Sequence, residues 1–251
     1  MTITTSLPGR VAPLRVLHAA RRPALVLVAH GSHDPAAAAE IGLLHARVRR
    51  ARPELDVRLA HLGLNDPRLP EVLDGLSGRV VLVPLLLGRG YHSKTDIPRT
   101  LAEAGHLAGQ CAAPLGPDPL LTEALADRLA AAGWWGEPVV LAASGSRDPE
   151  AALDSEAQAA LLSARLGVTV RPGYVAAGGP SVAARVAELT AEGHTRVAVA
   201  SYFTAPGDFA RLATAAGGAL ISAPLGDHPL LARLVLERYQ ACLARTVRAV
   251  A

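Results

Sequence analysis

The chain has 251 residues, half of them hydrophobic, with a formal charge of +3 and only 3% aromatic residues. That length suits one large domain or two of average size, and the hydrophobic fraction excludes a disordered or fibrous chain. The positive surplus lies in Arg10, Arg15, Arg21 and Arg22, ahead of the first acidic residue, Asp34, so the broad basic face of a nucleic-acid binder is absent.

Residues 1–22 hold no apolar run long enough for a signal sequence or a membrane span, and read as a flexible tail. Leu25-Val26-Leu27-Val28-Ala29 is then an apolar run of the kind buried on both faces of a parallel sheet. It breaks off in His30-Gly31-Ser32-His33-Asp34-Pro35, where Asp34 as N-cap and Pro35 as first residue start a helix over 35–50. Ile41, Leu44, His45 and Val48 share one face of that helix. Further strands are predicted near 57–62, 80–86 and 110–112, and helices near 69–76, 98–105 and 119–132. Gly133-Trp134-Trp135-Gly136-Glu137-Pro138 breaks both patterns and marks a linker at 134–138.

After the linker the chain repeats itself. Ser144-Gly145-Ser146-Arg147-Asp148-Pro149 matches residues 30–35, Gly207 matches Gly90, and Ala223-Pro224-Leu225-Gly226 matches Ala113-Pro114-Leu115-Gly116. Three matches in the same order indicate a duplicated domain of roughly 110 residues. The expected fold is therefore α/β: two tandem doubly wound domains with parallel sheets, 23–133 and 139–251, facing across a cleft at their strand carboxyl ends.

The copies agree in scaffold and differ in chemistry. His30 ends the first strand, and His92 follows the third within Gly90-Tyr91-His92-Ser93-Lys94-Thr95-Asp96-Ile97-Pro98. In the second copy Ser144 and Phe209 take their places. A histidine needed for folding would be expected twice, so the pair marks a functional site confined to the first half. Two imidazoles without thiolates suit Fe²⁺, Co²⁺ or Ni²⁺, or proton transfer near neutrality. Cys111 and Cys242 make no CxxC, which leaves neither a thiolate site nor a disulfide framework and makes a reducing cytoplasm the expected compartment. No GxGxxG or GxxxxGK[ST] phosphate cradle occurs, and residues 30–32 lack the frame of a nucleophile elbow.

His30-Gly-Ser-x-Asp-Pro and residues 90–98 together resemble the two signature stretches of the class II chelatases, the sirohydrochlorin cobalto- and ferrochelatases, in their long two-domain form. The resemblance implies ATP-independent insertion of Fe²⁺ or Co²⁺ into a tetrapyrrole in siroheme or cobalamin biosynthesis. The metal is a substrate and no cofactor is permanently bound. It implies further that His30 and His92 deliver the metal and accept the pyrrole protons. Ser32, Arg89, Tyr91, Lys94, Asp96, Arg147 and Arg211 are candidate substrate contacts, with Arg68 and Arg99 beside them, because arginine and lysine suit a macrocycle bearing carboxylates. Two departures stand out. Gly63 occupies the place where the family carries a metal-assisting carboxylate, leaving Asp96, Asp66 or His61 as substitutes, and His33 replaces the usual arginine. A single-chain monomer acting on a small molecule, without nucleic acid or membrane, is expected, with a homodimer as the alternative. A non-catalytic tetrapyrrole or metal carrier on the same fold is the competing function.

Overall fold

A computed structural model describes residues 22–250, and side chains through 245; apart from Arg22, the expected N-terminal tail lies outside them. In the first lobe the order is β1 (Ala24–Ala29), α1 (Pro35–Ala51), β2 (Val57–His61), α2 (Leu69–Asp74), β3 (Gly78–Pro84), α3 (Ile97–Glu103), β4 (Leu107–Cys111) and α4 (Pro119–Ala131). The second lobe repeats it as β5 (Val139–Ala143), α5 (Pro149–Leu166), β6 (Val170–Tyr174), α6 (Val182–Ala191), β7 (Ala198–Ser201), α7 (Asp208–Thr214), β8 (Leu220–Ile221) and α8 (Pro229–Val250). Both sheets are parallel, with orders β2-β1-β3-β4 and β6-β5-β7-β8. The duplication read from three short motifs is thus a duplication of topology.

Strand alternation sorts the core. Leu25, Leu27 and Ala29 of β1 face a central core, together with Val139, Leu141 and Ala143 of β5. Val26 and Val28 face outward onto α2 and α3, and Val140 and Ala142 onto α6 and α7. Helices α1, α4, α5 and α8 fill the space between the two sheets, so the lobes share one continuous apolar core. Each leucine or valine buried there contributes roughly 1.5–3 kcal/mol.

The helix starts follow the sequence. Asp34 accepts a hydrogen bond from the Ala36 amide at 2.9 Å and Asp148 from the Glu150 amide at 3.0 Å, with Pro35 and Pro149 at the first helical positions. Most boundaries shift by one or two residues, β3 for instance running over Gly78–Pro84 rather than 80–86, and two differences go further. β4 runs over Leu107–Cys111 rather than 110–112, because this edge strand of small and polar residues carries little hydrophobic signal. The helix expected to start at Pro98 is preceded by a π-helical turn, His92–Asp96, in which the Ile97 amide bonds to the His92 carbonyl five residues back. Among the described residues no helix is long and apolar enough to cross a membrane.

Candidate metal and macrocycle site

A cavity of about 600 Å³ opens at the carboxyl ends of both sheets, with walls from both lobes. His30, one residue beyond β1, lies on its surface. Gly31 has φ of +97°, and a Cβ there would collide with the Gly63 carbonyl, so only glycine lets the β1 turn pack against the end of β2. That turn is tied further by the Ser32 amide bonding to Asn65 Oδ1 at 2.7 Å and the Gly63 amide to the His30 carbonyl at 3.2 Å.

His92 arrives from the other side on the π-helical turn, an irregularity frequent at functional sites. The two imidazole centroids are 4.9 Å apart, with ring planes at 83°. Each ring has its Nδ1 on an acceptor: the Gly31 carbonyl at 3.2 Å for His30 and Asp96 Oδ2 at 3.0 Å for His92. Carbonyl and carboxylate oxygens only accept, which assigns a proton to each Nδ1; in the neutral tautomer so fixed, Nε2 carries the lone pair. Metal–imidazole bonds are about 2.1 Å, so one ion can bridge rings at this separation. No cluster of three or more His, Cys, Asp or Glu able to hold a metal occurs among the described residues. Asp96 backs His92 rather than joining it as a further donor. His61, buried at the end of β2, also lines the cavity, and its Nδ1 lies 3.4 Å from the Pro67 carbonyl. Burial holds its pKa below the ordinary imidazole value, which favours the neutral ring.

Three of the cations expected to meet substrate, Arg89, Lys94 and Arg211, are engaged between the lobes. Lys94 pairs with Asp148 at 2.7 Å and with Glu150, and Arg211 pairs with Asp34 and Asp208. The arrangement is reciprocal: the cation four residues after each loop glycine, Gly90 or Gly207, grips the helix-capping aspartate of the opposite lobe. The Lys94 ammonium and the Glu150 amide hold Asp148 below the usual carboxylate range; the Ala36 amide and the Arg211 guanidinium do the same for Asp34. Arg89 binds Asp154 Oδ1 at 2.6 Å and Glu150 at 2.7 Å, and its amide bonds to Asp154 Oδ2 at 2.7 Å. Arg147 is exposed and makes no ion pair with the described residues. Ser32, Arg89 and Tyr91 line the cavity, whereas Lys94, Asp96, Arg147 and Arg211 stand behind or beside its lining.

Sequence reasoning missed several residues here. Asp154, only 4% exposed, anchors Arg89, and the Tyr202 hydroxyl donates to the Leu87 carbonyl of the other lobe at 2.9 Å. Both are contacts between halves that local spacing does not encode. Leu64 lines the cavity at 49% exposure with φ of +67°, a left-handed conformation uncommon for leucine.

The CbiX family model matches residues 24–132 and again residues 138–242. Sirohydrochlorin cobaltochelatase of Methanococcus aeolicus is 28% identical over 82 residues, which cover 31% of this chain and 57% of that protein. The Methanothermobacter thermautotrophicus sirohydrochlorin cobaltochelatase is 28% identical over 131 residues, covering 43% of this chain and 91% of that protein, the span of one lobe. SirB from Bacillus subtilis, solved with Fe³⁺, superposes with a TM-score of 0.72 at 23% identity, over 87% of this chain and 94% of its own. At that identity the likeness establishes the fold.

Proposed function

Because the chain belongs to the CbiX family of class II chelatases, in its long two-lobed form, we propose that it inserts Co²⁺ or Fe²⁺ into sirohydrochlorin without ATP. The observation that carries this reading is the pair of imidazoles 4.9 Å apart, each with its Nδ1 on an oxygen acceptor, on the wall of a cavity shared by two lobes. Insertion into a free-base macrocycle releases two pyrrole protons. Neutral imidazoles first hold the incoming ion and then accept protons as it leaves them for the macrocycle. Among the described residues no third acidic or thiolate donor joins the pair, which suits this task, since an ion to be handed on must not be held as a resident one is.

The reaction needs no nucleotide, in keeping with the lack of any phosphate-binding motif. Both walls of the cavity come from one chain, which supports action as a monomer. Sirohydrochlorin's carboxylates find Arg89 and Ser32 at the cavity wall and Lys94, Arg147 and Arg211 around it, provided the interlobe ion pairs exchange partners. The product enters siroheme or cobalamin, according to the metal inserted.

A carrier that binds without turnover is the second reading, favoured by the glycine at position 63. The two are separated by mixing the purified protein with free-base sirohydrochlorin and Co²⁺ anaerobically and following the absorption change. A rate equal to the spontaneous one overturns the enzyme reading. His92→Ala is expected to lower insertion by about 10²–10⁴-fold while macrocycle binding persists; unchanged insertion overturns the role given to the pair.

A further inference from the structure

Aromatic residues are scarce in this chain: two phenylalanines, four tyrosines and two tryptophans. Both phenylalanines and two of the tyrosines line the one cavity that carries the histidine pair. Phe203 and Tyr202 are buried in its floor, but Phe209 is 45% exposed and Tyr91 58% exposed. A phenylalanine has no polar group to keep in water, so leaving it half open on a cavity wall forfeits burial that the fold elsewhere secures.

Phe209 is also held in a defined place. Two residues before it, a Cβ on Gly207 would meet the Ser32 hydroxyl at 3.3 Å, and two residues after it Arg211 binds Asp34. Phe209 is thereby clamped from both sides against the opposite lobe's turn, residues 30–34, that begins with His30. In the duplicated scaffold it stands where His92 stands in the first lobe, and Ser144 where His30 stands. The second copy of the site has thus exchanged its imidazoles for a hydroxyl and an apolar ring that still line the cavity, with Phe209 in the first turn of α7 where His92 sits on a π-helical turn. Leu64, exposed and in a left-handed conformation, adds a second apolar group on the first lobe's side.

Resting on the chelatase reading above, we propose that Phe209 is a substrate-positioning residue: its ring seats the conjugated macrocycle beside the histidine pair. The second lobe then supplies binding and orientation, and the first supplies metal and base. A planar π-system packs on an aromatic ring with little loss of side-chain freedom, and an apolar ring on the same cavity as the metal-handling groups presents the macrocycle to them in one orientation.

The test measures kcat and KM for Co²⁺ insertion into sirohydrochlorin, the macrocycle Kd from its fluorescence, and Co²⁺ binding without macrocycle, for the wild type, Phe209→Ala and Phe209→Tyr. Phe209→Ala is expected to raise KM and Kd at least fivefold with kcat changed less than twofold, and Phe209→Tyr to restore them. Co²⁺ affinity and the thermal midpoint stay at wild-type values in both variants, which separates seating from a structural role. If the wild type inserts metal and Phe209→Ala binds macrocycle within twofold of it, the proposal is overturned. Failure of the wild type itself to bind or metallate sirohydrochlorin overturns instead the functional reading beneath it.

Discussion

The role proposed for His92 requires its ring to keep one tautomer and one orientation, and Asp96 Oδ2, 3.0 Å from Nδ1, supplies both. Asp96 is itself steadied by Arg99 at 3.3 Å and belongs to the same π-helical turn, so the carboxylate moves with the imidazole it orients. Asp96→Ala is expected to reduce insertion rate or Co²⁺ affinity by about 10–100-fold, and Asp96→Asn, whose amide oxygen still accepts, to recover part of it in the same anaerobic assay. Gly63 argues the complementary point. Its amide bonds to the His30 carbonyl, and a Cβ built on it meets nothing within 4 Å, so a side chain fits where the family's carboxylate would stand. Gly63→Glu is expected to fold normally and to tighten Co²⁺ binding by about tenfold, 1.4 kcal/mol, measured by calorimetry. A matching fall in kcat would follow if the ion is then held too firmly to be released.

At the level of elements, the starts of α1 and α5 are where the lobes grip each other. Asp34 and Asp148 are each N-cap and ion-pair partner at once, and their lowered pKa values keep both functions intact as pH falls, until it passes through those depressed values. A substrate carboxylate must compete with Asp148 for Lys94. Asp148→Asn keeps the cap, since asparagine caps as well as aspartate, and frees part of the ammonium; KM for sirohydrochlorin should fall by about two- to fivefold, and Lys94→Ala should raise it by a similar factor. Rising salt should shrink both effects, because Lys94 is exposed and Asp148 only partly covered. The helix starts themselves were legible in the sequence, because Asp-Pro after an apolar run names a cap and a first turn. Their second role was not, because residues 34 and 211, or 94 and 148, are brought together only by the docking of two lobes. The π-helical turn was illegible for a different reason: a hydrogen bond to the fifth residue back has no residue preference to announce it. His30 and His92 were readable because the duplication provides an internal control, Ser144 and Phe209, at equivalent positions.

Over the whole molecule, the sequence reads as two domains joined by a linker, each with leucines enough for a core of its own. In the folded chain many of those leucines serve one shared core. Leu25 and Leu27 of one sheet and Leu141 of the other belong to the same buried cluster, with Leu121, Leu125, Leu162 and Leu234 from the intervening helices. Polar contacts cross the same boundary: the Tyr239 hydroxyl donates to the Pro23 carbonyl at 2.7 Å, Arg238 to the Pro114 and Leu115 carbonyls at 2.9 and 2.7 Å, and Arg47 meets Asp227 at 2.6 Å. Cutting the chain in the 133–138 segment would therefore bare the inner helices of both halves to water, while leaving the outer clusters around α2, α3, α6 and α7 intact. Exposed apolar surface of that extent seeks a partner. Residues 22–133 expressed alone are expected to aggregate or self-associate in sedimentation velocity. Co-expression with residues 134–251 should return a soluble one-to-one complex that inserts Co²⁺, because the cavity takes walls from both lobes but no catalytic step requires the peptide between them. A first half that stays monomeric and active alone would show that the second lobe supplies neither the missing face of the core nor the seat for the macrocycle.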